Sequence, residues 1–317
     1  MSTDTDTDTE TVRVGRYTVA VSRPDKELFG GSGVTKRDLV AHYREAAPWM
    51  LPHVRNRPVA LHRFPDGIDP SGPGTAGFFQ KRVPDTAPPW VQRLRVVRVR
   101  GGTLTMVSCT NAATLAWLAD QGVITVHPWL SRAGHLGEPD RLVVDLDPPN
   151  DGFARARWAA RCVRETLQEA GLVPYVMTTG SRGLHVVVPL RPERDHAAVR
   201  ELALGVAEVT ARRHPDRLTT QFRKDRRGGR LFLDTLRNAY GQHAVAPYAV
   251  RPLPGAPVAA PLSWEELEDV DSPRRWSVSN FGERVRVLRH RGNPWRDMAR
   301  HACSPGKAAR RLERMDG

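Results

Sequence analysis

Two aspartates, Asp145 and Asp147, stand two residues apart in the segment VVDLDPP. If residues 142–147 form a strand, its two-residue period turns both carboxylates to one face of a sheet. Two anions so placed repel unless a cation lies between them. Carboxylate and phosphate oxygens are the hard ligands that Mg²⁺ and Mn²⁺ take, so the pair is a candidate metal site for phosphoryl transfer. A strand end whose second Asp merely caps the next helix has the same pattern, so the reading depends on what surrounds the pair.

Two further segments supply that context. In TTGSRGLHVVVPL, Gly180 and Gly183 permit close backbone approach, Thr179 and Ser181 bring hydroxyls, Arg182 a cation, and His185 an imidazole. Such a turn can cradle a triphosphate with its N–H groups, although an ordinary hairpin also uses glycines for geometry. In RKDRRGGRLFLDTLRN, Asp234 ends an apolar run and could complete a three-carboxylate set. Lys224, Arg227 and Arg237 lie around it with positive charge suited to phosphates, or to a solvated basic loop.

These residues need elements to hold them. Strands are expected at 142–147, 173–178, 184–190 and 231–234, with an amphipathic helix closing at Gly171, another at 197–213 and one near 264–267. Upstream, a helix should start at Thr35 with Asp38 at its third position and end at Pro48, and another should run from Asn111 to Gly122. Residues 71–75 (SGPGT) read as a surface turn. Residues 1–10, with alternating Thr and acidic residues, read as a disordered acidic tail. No linker or internal repeat divides the rest, so 11–317 is expected to be one mixed α/β domain with an N-terminal subdomain.

Composition points to a polyanionic partner. The 317 residues hold 48 Lys and Arg against 35 Asp and Glu, a net charge of +13, which suits nucleic acid. The segment 273–317 alone has twelve Lys and Arg against four Asp and Glu. Cys109, Cys162 and Cys303 are dispersed, without zinc-ligand spacing or an even count. No apolar run is long enough to span a bilayer, and no signal pattern opens the chain, so no membrane partner is expected and the cytoplasm, in association with the nucleoid, is the expected location.

Taken together, DLDPP, the T-G-S-R-G-L-H turn, LFLDTLRN, APYAVRPLPGAPVAAPLSWEEL and GNPW resemble, in order and spacing, the archaeo-eukaryotic primase superfamily. More narrowly, they resemble the polymerase domain of bacterial ATP-dependent DNA ligase D, from about Val19 to about Trp295. The resemblance implies a primase-polymerase fold, a central mixed sheet flanked by helices. By similarity, Asp145, Asp147 and Asp234 would hold two divalent ions, Mn²⁺ or Mg²⁺, that bring a primer 3′-hydroxyl to the α-phosphate of an NTP or dNTP. Thr179, Arg182, His185, Arg237 and Arg251 match the nucleotide-gripping positions, His127 a histidine packing on the nucleotide, and His62 and Arg63 a pair near its phosphates. Lys26 and Lys36 match lysines that recognise the 5′-phosphate of a gapped duplex, across a turn rich in glycine (Gly30, Gly31, Gly33). Phe78 and Phe79 match template-stacking aromatics, with Lys81 nearby for phosphate. Aromatic pairs usually serve a core, so at least one of the two is expected to be buried. Lys224 and Arg227 are expected to touch DNA.

Thr179 stands where the family usually has serine, which leaves sugar selectivity open. The family's fused ligase and nuclease modules do not follow here, which implies a stand-alone form that recruits a separate ligase and a Ku-type end binder. The implied function is template-dependent gap filling at DNA ends in break repair, favouring ribonucleotides. The alternatives are a primase that starts chains de novo and a catalytically silent DNA-end binding module.

Overall fold

The computed structural model describes residues 8–68, 77–149 and 152–315. The expected turn at 71–75 and residues 1–7 of the acidic tail lie outside them. The tail does not extend to residue 10, because β1 (Thr9–Val14) already pairs antiparallel with β2 (Tyr17–Ser22). This hairpin lies on the helix at Ala112–Asp120, with Val19 and Val21 buried.

Next comes α1 (Lys36–Val54), opened by the expected capping box between Thr35 and Asp38. The helix does not stop at Pro48 but passes both Pro48 and Pro52. The two prolines lie four apart on the exposed side of the helix. Met50, His53 and Val54 are buried on the other side, and their packing carries the helix through its two missing donors.

The first sheet comprises β3 (Val59–Arg63), β4 (Phe78–Gln80), β5 (Gln92–Val97), β6 (Thr103–Ser108) and β7 (Val123–Pro128), with α2 (Ala112–Asp120) leading into β7. As read from the sequence, Asn111 caps α2 by accepting from Thr114 N at 2.9 Å.

The second sheet carries the candidate site residues Asp145, Asp147, His185 and Asp234. In chain order its elements are β8 (Arg141–Asp147), α3 (Phe153–Glu169), β9 (Tyr175–Thr178), β10 (Leu184–Pro189), α4 (His196–Arg213), β11 (Leu218–Thr219), β12 (Leu231–Asp234) and β13 (Pro261–Leu262). Its order is β11-β12-β8-β10-β9-β13, antiparallel except for the β11/β12 pair. Along β8, Leu142, Val144 and Leu146 pack with α3 and α4 in one core, whereas Val143 belongs to the other core, shared with α1 and α2. On β10, Val186 and Val188 join the helical side and Val187 the opposite side. Strand alternation therefore sends Asp145, Asp147 and His185 away from the helices, towards the first sheet.

The C-terminal basic segment is built into both cores. The short α5 (Glu266–Asp269) is tied to α6 (Phe281–Arg291) by Arg284, whose buried guanidinium meets Glu266 at 2.5 and 3.1 Å. From α6, Phe281, Val285 and Leu288 enter the first core; from α7 (Pro305–Glu313), Ala308 and Leu312 enter the second.

One polar contact bears directly on β8. Strand β12 stops at Asp234, opposite Asp145, so Val143 has no strand partner on that side. The fully buried Asn238 takes its place: Oδ1 accepts from Val143 N at 2.9 Å, and Nδ2 donates to Val143 O at 2.8 Å and Thr235 O at 2.7 Å. The side-chain amide thus prolongs the ladder where backbone runs out. Asn238→Leu leaves both polar groups of Val143 buried and unpaired and should destabilise the fold by about 2–4 kcal/mol. Denaturant unfolding should show a lowered midpoint at unchanged slope.

Candidate active site

The register of three strands places a row of ionisable groups across one sheet face. Asp145 on β8 stands opposite Asp234 on β12 and His185 on β10, and directly opposed residues share a face. Asp147 follows on that face two residues along. Asp145 is buried, with His185 Nε2 at 3.4 Å from Oδ1 and Arg237 Nε at 3.5 Å from Oδ2. Burial pushes its pKa up, but His185, Arg237 and Arg251 together outweigh burial and hold it below the usual carboxylate value. Asp147 is shifted the other way, by burial and then by repulsion from Asp145, despite Arg182 at 3.5 Å. Asp234 is also raised, first by burial and further by Asp145, while its Oδ1 accepts from Leu236 N at 2.8 Å.

The glycine turn joins β9 to β10 beside this row. A Cβ on Gly183 would come within 1.9 Å of Leu146 O, so only glycine lets the turn lie against β8. Gly180 has a φ of +65° and sits against Ala259 N. Thr179 closes the turn, its N–H donating to Gly183 O at 3.0 Å and its Oγ1 accepting from Gly183 N at 3.3 Å. Arg251 Nη1 donates to Thr179 O at 2.8 Å, and Arg274 Nε, which had drawn no attention in the sequence, to Ser181 O at 3.0 Å. Arg182 remains largely exposed beside Asp147.

The first sheet supplies the facing wall of a cleft of about 310 Å³ lined by Asp145, Asp147, Thr179, His185, Arg237 and Arg251. His62 on β3 stacks on Phe79 of β4 with centroids 4.3 Å apart and planes 7° from parallel. His127 on β7 meets the edge of Phe79 at 5.3 Å, and His243 lies 5.2 Å from His127. Burial lowers His62 and His243 to about 4 and holds His127 well below the ordinary imidazole value, so these rings are neutral at ordinary pH. His127 Nε2 and His243 Nδ1 are buried without a protein partner. His243 escaped the sequence reading because a lone His in a loop has no periodicity to mark it.

Several expected site residues are placed differently. Neither phenylalanine is buried: Phe78 is 48% and Phe79 49% exposed, because β4 is the sheet's edge strand and its two rings have no layer above them. Arg63 does not line the cleft; it donates to Gln121 O at 3.0 Å and Gln80 Oε1 at 2.7 Å and sits over the Phe78 ring. Lys26 and Lys36 are neighbours, with Lys36 N donating to Lys26 O at 2.9 Å, but they are not two free ammonium groups. Lys36 is 4% exposed, and its Nζ lies 3.3 Å from Asp120 and 3.0 Å from Ser22 Oγ. Burial, only partly offset by Asp120, lowers its pKa. Lys26 is nearer the surface, donating to Pro65 O at 2.8 Å. Lys81 acts on His243 electrostatically. Lys224 is exposed beside the exposed ring of Phe222, whereas Arg227 folds back on Gln221 O and Phe222 O and lies 4.1 Å from the Phe232 ring centroid.

Among the described residues, no three His, Cys, Asp or Glu side chains form a ready metal-ligand group. Asp234 has an oxygen engaged by Leu236 N–H, and Asp145 is flanked by His185 and Arg237. The donors nevertheless suit hard divalent cations: three carboxylates on one face, two of them held above their usual pKa by burial and mutual repulsion that such a cation would relieve.

Residues 35–295 match the family described as LigD, primase-polymerase domain. The chain is similar to the multifunctional non-homologous end joining DNA repair protein LigD of Mycobacterium tuberculosis, with 36% identity over 261 residues, 79% of this chain and 34% of that protein. It is also similar to the bifunctional non-homologous end joining protein LigD of Bacillus subtilis, with 30% identity over 280 residues, 87% of this chain and 43% of that protein. It thus spans about a third to two-fifths of the length of these relatives. The solved polymerase domain of M. tuberculosis ligase D in complex with DNA superposes with a TM-score of 0.79 at 33% identity, covering 90% of this chain and 99% of that one. Family match, sequence identity and superposition agree with the strand register: the chain belongs to the LigD primase-polymerase domain family.

Proposed function

We propose that this chain is a template-dependent nucleotidyltransferase that fills gaps at DNA ends in non-homologous end joining. The observation that carries the reading is the row Asp234–Asp145–His185 with Asp147 beside it, of which Asp145, Asp147 and His185 line a cleft bordered by a glycine turn and by Arg237 and Arg251. Family membership and the DNA-bound structural relative support the substrate.

Asp145, Asp147 and Asp234 would hold two divalent ions, Mg²⁺ or Mn²⁺, which when bound acidify a primer hydroxyl and neutralise the leaving pyrophosphate. The chain's own groups do the rest. Arg182 and Arg237, each with an exposed guanidinium paired at 3.5 Å with Asp147 or Asp145, would turn to phosphate oxygens. Arg251 holds the turn through Thr179 O, and the neutral His62, His127 and His243 border the end of the cleft where a nucleotide's uncharged parts would lie. The exposed Phe78 and Phe79 offer faces for template bases, since stacking tolerates any base. Lys81, Lys224 and Arg227 lie outward of the cleft, with Lys224 the freest to reach a DNA phosphate. A Ku-type end binder and a DNA ligase complete the proposed repair reaction, and the nucleoid is where it would occur. Among the described residues no helix is long and apolar enough to cross a membrane.

Primer extension on a gapped duplex, comparing ribonucleotides with deoxynucleotides and Mn²⁺ with Mg²⁺, tests the reading directly. Failure to extend under every condition would overturn it. Asp145→Ala and Asp147→Ala should each reduce extension on the order of a thousandfold, since several kcal/mol of charge stabilisation is lost, while duplex binding persists. A variant extending at the wild-type rate would refute the carboxylate assignment.

Arg182→Ala should raise the nucleotide KM about 10- to 100-fold, as expected for one charge-assisted phosphate contact. Unchanged nucleotide dependence with weakened DNA affinity would assign the turn to DNA instead. The two lysines should separate. Lys26→Ala should abolish any preference for a downstream 5′-phosphate at unchanged melting temperature. Lys36→Ala, which leaves Asp120 buried without its cation, should also lower the melting temperature.

A further inference from the structure

At the far end of β8 from the catalytic carboxylates lies a second cavity, of about 350 Å³. Arg141 opens the strand and Asp147 closes it, about 20 Å away at the rise of an extended chain. The cavity is walled on one side by apolar groups, among them Pro52, Leu190, Trp295 and Met298. On the other side it meets a cluster of guanidinium groups short of anions.

Asp140 is the single carboxylate of that cluster. Its Oδ2 takes Arg57 Nη2 at 2.6 Å and Arg132 Nε at 2.7 Å, and its Oδ1 has no partner. Arg57 is wholly buried and also donates to Trp129 O; Arg132 also donates to Arg55 O and Pro52 O. Arg141 is different. It is 7% exposed, forms no ion pair within 4.0 Å among the described residues, and there its one hydrogen bond runs from Nη2 to His53 Nδ1 at 3.2 Å. A guanidinium can only donate, so His53 Nδ1 is the acceptor and the ring carries its proton on Nε2. That Nε2 is buried and has no partner among the described residues. Both Arg141 and His53 line the cavity, and the exposed Arg296 stands at its mouth beside the His135–Glu138 pair.

Three guanidinium groups thus draw on one buried carboxylate, and Arg141, which feels it only through space and touches no carboxylate among the described residues, faces a cavity. An unpaired buried charge is strongly unfavourable, and an entering anion would relieve it. The opposing wall would cover an apolar body, as small-molecule sites commonly do. We infer that this cavity binds a small organic anion, a carboxylate or phosphate on an apolar group, with Arg141 as its charge partner and His53 Nε2 as a second donor. The site is separate from the catalytic cleft and does not depend on the function proposed for it.

The test uses phenyl phosphate and benzoate as probes, with inorganic phosphate and the neutral benzyl alcohol as controls, in calorimetric titration and thermal melting of the full chain. At least one aromatic anion should bind saturably and raise the melting temperature with concentration, more tightly than inorganic phosphate, while benzyl alcohol does neither. Arg141→Gln should weaken that binding at least about tenfold, the loss of one charged hydrogen bond. Because that residue is buried and the variant could misfold, Ala302→Leu, which fills the cavity and leaves every charge in place, should weaken it as well. Arg182→Ala, in the catalytic turn, should leave it unchanged. No saturable binding of either anion overturns the site, as does binding indifferent to both cavity variants. Binding that is lost in Arg182→Ala and kept in the cavity variants assigns the anion to the catalytic cleft and overturns it equally.

Discussion

Everything at the candidate active site depends on β8 being buried on both faces while carrying two carboxylates. Leu142, Val144 and Leu146 are committed to α3 and α4, so a two-residue period leaves Asp145 and Asp147 no direction but towards the first sheet. A slip of one residue would drive both acids into an apolar core and turn the leucines into the cleft. Register is therefore fixed by burial before any chemistry is asked of it, with Asn238 holding the ladder where β12 ends.

Given that geometry, the electrostatics follow from spacing. Asp145 sits between His185 and Arg237 and is stabilised as an anion; Asp147 and Asp234, each burdened by burial and by Asp145, are not. A fold that needed only a binding surface for DNA would gain nothing by placing raised carboxylates beside phosphate. The strain in this row makes sense if cations and a polyphosphate enter together, the cations relieving the acids and the arginines relieving the phosphates.

Much of this was legible in the sequence, and the failures have identifiable causes. The strands at 142–147, 184–190 and 231–234 announce themselves as apolar runs closed by acids or glycines, and the capping box at Thr35 is local by nature. What local pattern could not show was anything decided by tertiary contact. The passage of α1 through Pro48 rests on packing beyond it, and the exposure of Phe78 and Phe79 on β4 lying at an edge. The capture of Lys36 by Asp120 joins residues 84 positions apart, and Asn238 and His243 act only through strands nearly a hundred positions or more away.

The cleft is also a joint, which limits how the chain can vary. Its acids and glycine turn come from the second sheet, while His62, Phe79 and His127 come from the first. The two sheets meet around Val143, Met177 and Val187, which face the α1 and α2 side from within the catalytic sheet. A substitution that loosens this contact moves the aromatic wall relative to the carboxylates without touching either. Positioning errors of an ångström are costly in group transfer. The buried apolar residues between the sheets would therefore bear on the proposed catalysis as directly as the charged ones, and the order of the chain reflects this: α1, α2 and the first sheet precede the acids, Arg251 returns to hold the glycine turn, and Phe281 and Trp295 return to the core shared with α1 and α2.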